Sequence, residues 1–225
     1  MLSASIQLRG EHKSRTSMLK LFYALKTCAL APHIALEEAG ANYEAVRVDF
    51  ASNAQRKPEY LAINPKGRVP ALVTDRGILT ETPAILAFIA QSFPQARLAP
   101  LDDPFAFARV QSFNSYLCAT LHVAHAHGLR GYRWVDADDL ASLTAMKKKV
   151  PQSVGECYEL IEREMLIGPW VMGTDYTVCD AYLFTVCQWM EGDGLDVARF
   201  PGVNQHRQRM SERPAVKTVL AQQST

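Results

Sequence analysis

The stretch LKLFYALKTCALAPHIALEEAG (residues 19–40) changes its hydrophobic period in mid-course, and that change decides the fold. Its first five residues, Leu19–Tyr23, form an apolar run of strand length. A turn at residues 25–27 follows. From about Cys28 to Glu38 the pattern is helical, carrying Ile34, Ala35 and Leu36, and Gly40 supplies the stop. The same alternation continues downstream. Residues 43–48 read as a second strand, and residues 54–63 as a helix ended by Asn64-Pro65, since the residue before proline disfavours helix. Residues 69–74 and 78–80, separated by Asp75-Arg76-Gly77, read as a β-hairpin. A helix over residues 83–92 closes the unit, with Thr82 as N-cap and Pro83 at the first helical position.

The order is therefore βαβαββα, a mixed sheet with helices on its faces. Pro94, Pro100 and Pro104 then punctuate a linker, 94–104, after which strand signals vanish. Helical segments are predicted over 104–128, 139–166, 177–191, 202–212 and 214–222. The reading is an α+β two-domain chain, with an α/β domain over 18–93 and an all-α domain over 105–225. Residues 1–17 lack the apolar core and small-residue cleavage site of a secretory signal. Their Arg9, Lys13 and Arg15 outnumber Glu11, as in a transit peptide, but the simpler reading is a disordered extension.

Composition excludes several function classes. Among 225 residues, 48% are apolar, and 24 Lys and Arg nearly balance 23 Asp and Glu, a net charge of +1. Disorder is excluded by the apolar content, and no overall field exists to attract nucleic acid. Lys147-Lys148-Lys149 is the one compact basic run and reads as a solvated helix face. The longest uncharged stretch, between Arg109 and Arg130, is interrupted by polar residues and three histidines, so no membrane span is expected. Five cysteines, Cys28, Cys118, Cys157, Cys179 and Cys187, are odd in number and irregular in spacing. That pattern predicts a reducing, cytoplasmic setting rather than a disulfide scaffold or zinc site. The glycines of Gly168-Pro-Trp-Val-Met-Gly173-Thr174 have P-loop spacing but no lysine, and read as a packed turn. His122, His125 and His127 put only two imidazoles on one helical face, so packing or an organic ligand is expected there and no metal.

Three features carry chemistry. Cys28 stands at a strand-to-helix turn, with Thr27 as a cap. Free N–H groups and the helix dipole would there lower a thiol pKa, the alternative being a small buried hydrophobe. Val69-Pro70 opens a strand where proline removes a ladder donor, marking an edge or a cis bond. Such a strand start offers Val69's backbone groups to a peptide-like ligand; the alternative is a simple loop ending. Glu81-Thr82-Pro83 sets a carboxylate, a hydroxyl and a helix N-terminus at one point, an arrangement suited to a zwitterionic amino-acid group. Capping alone would explain Thr82 but not Glu81.

These stretches, with LAINPKGRVPAL (61–72), LTETPAI (79–85) and TVCDAYLFTVCQW (177–189), resemble cytosolic glutathione S-transferases, bacterial beta class, over nearly the whole chain from Met18. The resemblance implies a thioredoxin-like N-terminal domain, an all-α C-terminal domain, a homodimer, and glutathione as co-substrate without a metal. It implies that Cys28 sits beside the glutathione sulfur. Tyr23 matches the tyrosine that activates the thiol in other classes. Val69 would pair with the cysteinyl unit, Pro70 would be the cis-proline, Glu81 and Thr82 would hold the γ-glutamyl group, and His122 would face Cys28. The Thr177-x-x-Asp180 element implies a capping box with a folding role, and the other four cysteines are read as core.

Two positions depart from the pattern. Where a lysine commonly contacts glutathione, the chain reads Ala51-Ser52-Asn53-Ala54, leaving Asn53 as an uncharged donor with Arg56 or Lys57 as substitutes. Thr82 stands where Ser or Gly is more common. The expected activity is conjugation of the glutathione thiolate to small hydrophobic electrophiles, with residues 122–133 and Trp134 lining the second-substrate pocket. Thiol-disulfide exchange through Cys28 and a non-enzymatic adaptor on the same fold are the alternatives.

Overall fold

Strand β1 (Leu19–Tyr23) is the inner strand on which the first half is assembled in the computed structural model, which describes residues 18–224. The extension expected over residues 1–17 lies outside those residues. β1 pairs in parallel with β2 (Tyr43–Arg47) and antiparallel with β3 (Ala71–Thr74), and β4 (Gly77–Thr80) completes the order β2-β1-β3-β4. Helices α1 (Leu30–Glu38) and α3 (Thr82–Ser92) lay Ala31, Ala35, Ile85 and Ile89 over Leu21 and Leu72 of the sheet. This is the thioredoxin-like arrangement expected.

Boundaries differ from the sequence reading where proline or capping intervenes. The helix expected over 54–63 is two pieces, a 3-10 turn at Ala54–Arg56 and α2 (Pro58–Leu61), because Lys57 before Pro58 is held extended (φ −77°, ψ 150°). β3 starts at Ala71 rather than Val69, since Pro70 has no N–H to donate. Thr82 is not the N-cap of α3 but its first residue, and Glu81 occupies the cap position without a side-chain cap bond.

The second half is mostly helical, with one isolated β-bridge among the described residues, between Trp170 and Gly173. α4 (Pro104–Tyr116) passes through a π-helical turn, Leu117–Leu121, into α5 (His122–Arg130), and a 3-10 turn, Gly131–Arg133, follows. Then come α6 (Leu140–Leu160), α7 (Val178–Cys187), α8 (Pro201–Glu212) and α9 (Pro214–Gln223). All ten residues of α7 are buried, so this helix is the core of the half. Its capping box forms as expected: Thr177 Oγ1 accepts from the Cys179 N–H, and the Thr177 N–H is donated to Asp180 Oδ2 at 2.7 Å. Asp180 does more, because its Oδ1 also accepts from the Val171 N–H (2.8 Å) and His206 Nε2 (2.9 Å), tying a loop and α8 to α7.

One apolar core runs through both halves, from Leu21, Leu72 and Ile85 to Val110, Phe113, Tyr158 and Phe200. A second cluster clamps Leu30 and Ile34 of α1 against Ala181, Phe184, Met210 and Val216. The sheet's loops are therefore fixed relative to α5 and α7, and a cleft is left between them.

Candidate functional site

The cleft is a cavity of about 520 Å³, within the usual size of a small-ligand site. Cys28, Asn53, Val69, Pro70, Glu81 and Thr82 line it from the α/β side, and His122 from the helical side. Tyr23 is not among these residues. Its ring is buried and packs on His33 at 5.1 Å, because strand alternation turns it with Leu21 into the fold.

Cys28 is buried, and its Sγ–H is donated to Val69 O at 3.6 Å. Its pKa is not lowered, as its place near a helix start implied, but raised to about 11 by burial, against which the Thr82 hydroxyl pulls back only in part. The physical reason lies in the turn. α1 begins two residues later, at Leu30, and the N–H groups of Ala29, Leu30 and Ala31 are already taken by Thr27 Oγ1 (3.3 Å), Thr27 O (3.2 Å) and Cys28 O (3.2 Å). Few donors remain for a thiolate.

The Val69–Pro70 peptide is cis, and the loop before it is braced. Tyr60 Oη–H and Asn64 Nδ2 both donate to Arg68 O, at 2.7 and 2.6 Å. Gly67 has φ +59°, and a Cβ there would lie 2.9 Å from Gln55 O. The Val69 N–H donates to no acceptor among the described residues and stays available at the cavity wall.

Glu81 sits at φ 73°, ψ 122°, a region costly for a residue with a Cβ. Its Oε1 accepts from Lys66 Nζ, which also donates to Thr80 Oγ1 at 2.7 Å. The backbone thus holds a carboxylate at the mouth of α3, next to the hydroxyl of Thr82.

The helical wall contains groups that the sequence reading missed. Cys118, read as core, is half-buried in the cavity wall, which it lines together with His122 and His125. The Tyr182 hydroxyl is buried beside Cys118 and Thr82 and completes no hydrogen bond among the described residues. His122 is pushed down to about 4 by burial first, then by His125 and Arg133, so its ring is neutral at pH 7. It packs on Trp189 at 4.9 Å, and His125 stacks on the same indole at 4.3 Å and 18°. His125 Nδ1 is donated to Asp193 at 2.7 and 2.8 Å. Asp193 lies between Gly192 and Gly194, a turn-forming setting in which nothing points to His125 as its partner. Among the described residues no cluster of His, Cys, Asp and Glu is built to hold a metal ion, and no helix is long and apolar enough to cross a membrane.

Of the two cations considered near Asn53, Arg56 lines the cavity and Lys57 does not. Asn53 itself is left-handed (φ 54°), a conformation asparagine tolerates, and Leu129, Tyr132 and Trp134 complete the outer wall.

Residues 17–91 match the profile of the glutathione S-transferase N-terminal domain. The glutathione S-transferase GstA of Escherichia coli O157:H7 is 32% identical over 206 residues, covering 90% of this chain and 98% of that protein. A glutathione transferase homologue from Sulfitobacter, solved with bound glutathione, superposes with a TM-score of 0.87 at 46% identity, covering 91% of this chain and 98% of the other. The bacterial beta class glutathione S-transferase of Sphingomonas chungbukensis gives a TM-score of 0.79 at 34% identity, with the same coverages of 91% and 98%.

Proposed function

The chain belongs to the glutathione S-transferase family of enzymes, and on that premise we propose that it is a beta-class enzyme conjugating glutathione to small electrophiles in the cavity described above. The observation that carries the proposal is the convergence of Cys28, Val69, Glu81, Thr82 and His122 on one cavity from separate segments of the chain. In this reading Glu81 holds the γ-glutamyl ammonium beside Lys66, and Thr82 with the α3 N-terminus takes the neighbouring carboxylate. The Val69 N–H pairs with the cysteinyl carbonyl, and Asn53 and Arg56 meet the glycyl end. Tyr23 has no part in it.

Cys28 is then a donor rather than a nucleophile. With its pKa near 11, its Sγ–H stays protonated at neutral pH and turns toward the bound glutathione sulfur, favouring the glutathione thiolate. The neutral ring of His122 faces the same sulfur. The thiolate attacks the electrophile, forming the C–S bond as the leaving group departs with its electron pair. We read residues 18–93 as the glutathione domain, 94–104 as linker and 105–225 as the domain of the second substrate. The protein is read as a cytoplasmic homodimer on its likeness to bacterial glutathione S-transferases.

Glutathione titration calorimetry and conjugation of 1-chloro-2,4-dinitrobenzene by wild type, Glu81→Gln and Cys28→Ala test the proposal. The expected result is glutathione binding weakened at least about tenfold in Glu81→Gln, the loss of one charged contact. Conjugation is expected to slow but persist in Cys28→Ala. Absence of glutathione binding by the wild type overturns the proposal. Loss of disulfide reduction alone in Cys28→Ala would assign Cys28 to thiol-disulfide exchange instead.

A further inference from the structure

We propose that the second substrate of this cavity is an amphipathic organic anion, an aromatic or acyl carboxylate seated on Leu129, Tyr132 and Trp134 with its charge at Arg130 and Arg133. The inference rests on the reading of the cavity as a glutathione site. The chain as a whole is balanced at +1, yet the cavity wall carries Lys26, Arg56, Arg68, Arg130 and Arg133 against a single acid, Glu81. None of those five cations makes an ion pair with a described residue, whereas Glu81 already has Lys66 as its partner.

Glutathione does not exhaust this excess. It brings two carboxylates and one ammonium, and one more negative charge when its thiol ionises. Seated with its ammonium on Glu81 and its glycyl end on Arg56, it leaves the far wall uncompensated. That wall is the end of α5 and the turn after it, where Arg130 and Arg133 alternate with Leu129, Tyr132 and Trp134. Arg130 Nη1 donates to Tyr132 Oη at 3.2 Å, which aims one guanidinium along the turn. Arg133 is partly buried and shares the cavity with Arg68 of the other wall, whose like charge is felt at its guanidinium. Such a pair is relieved by an anion between them.

The apolar part is equally specific. Leu129, Tyr132 and Trp134 are 74%, 46% and 45% exposed, and Trp134 is propped edge-on against His127 at 4.4 Å. Large side chains left uncovered beside unpaired arginines form a surface for a ligand with an apolar body and an anionic end. A wholly apolar electrophile would cover the former and leave the guanidiniums unanswered.

Calorimetry with two glutathione conjugates tests this directly: the adduct of 4-chloro-3-nitrobenzoate, and its carboxamide counterpart, equal in shape but uncharged. Glutathione itself is titrated in parallel. The expected result is that the carboxylate conjugate binds about tenfold tighter than the carboxamide in low salt, as one charge-assisted contact would give. The gap closes with added salt and in Arg130→Gln/Arg133→Gln, is largely kept in Arg133→Lys, and glutathione affinity is the same in all of them. Equal affinities for the two conjugates in the wild type, or a preference that survives in the double variant, overturn the inference while leaving the glutathione site intact. If glutathione itself fails to bind, the site reading falls and the inference with it.

Discussion

Asp193 accepts the Nδ1–H of His125 on both carboxylate oxygens, at 2.7 and 2.8 Å, while the ring lies flat on Trp189. The pairing joins α5 to a turn 68 residues away and fixes which ring nitrogen carries the proton. Asp193 is almost wholly buried, and its loss leaves a donor without an acceptor. Asp193→Ala is expected to lower stability by about 1–3 kcal/mol in urea denaturation. A smaller change would mean that water replaces the carboxylate.

The protonated state of Cys28 has a kinetic signature. With a pKa near 11, roughly one thiol in 10^4 is ionised at pH 7, so iodoacetamide should alkylate Cys28 slowly and the rate should still be rising above pH 9. Mass spectrometry of the peptide containing Cys28 follows it. A rate that levels off below pH 8 would show a depressed pKa and return the helix-terminus reading.

His33 should contribute to a loss of stability in acid. It is fully buried, donates from Nε2 to Gln222 Oε1 (3.0 Å) and accepts at Nδ1 from Gln223 Nε2 (3.1 Å), an arrangement that requires the neutral ring. Burial depresses its pKa to about 4. The unfolded chain, titrating near 6.5, therefore takes up the proton first, so stability present above pH 6.5 is lost as pH falls toward 4. The full loss is about 3 kcal/mol, and His122, depressed in the same direction, adds to it. Urea midpoints at pH 7.5 and pH 4.5 should differ, with a smaller difference in His33→Gln. Equal midpoints would show that neither histidine is held neutral.

Glu81 is a test of stability against function. Its φ of 73° costs about 1–3 kcal/mol for a side-chain-bearing residue and less for glycine, which has no Cβ to clash but gives up more backbone entropy. Glu81→Gly is therefore expected to hold or raise the melting temperature although it deletes the Lys66 ion pair, which is exposed and worth little. The same variant should lose glutathione affinity. A marked fall in melting temperature would show that the carboxylate is structural.

Much of this was written locally. The change of period after Tyr23, the hairpin at Asp75-Arg76-Gly77 and the Thr177/Asp180 box each depend on residues close together in the chain, and each forms. The break at Lys57 is local too, since the residue before Pro58 is disfavoured in helix. What sequence could not carry is long-range burial. The place of Cys28 near a helix predicted a thiolate, yet its pKa is set by what covers it and by a turn that uses its neighbours' N–H groups. Cys118 and Tyr182 differ from ordinary core residues only in facing a cleft that exists once α5 and α7 have packed. The pairing of His125 with Asp193 likewise has no trace in either segment alone.

The π-helical turn Leu117–Leu121 sets the phase of everything after it. Its wider loop absorbs a residue that a regular α-helix would not, and successive α-helical residues are rotated by about 100°. Removing one residue from this turn would leave α5 helical and its composition intact while swinging His122, His125 and Arg133 off the cavity together. The turn works as an angular spacer: five residues, of which only Cys118 reaches the cavity, decide which way the helical wall of the cleft looks.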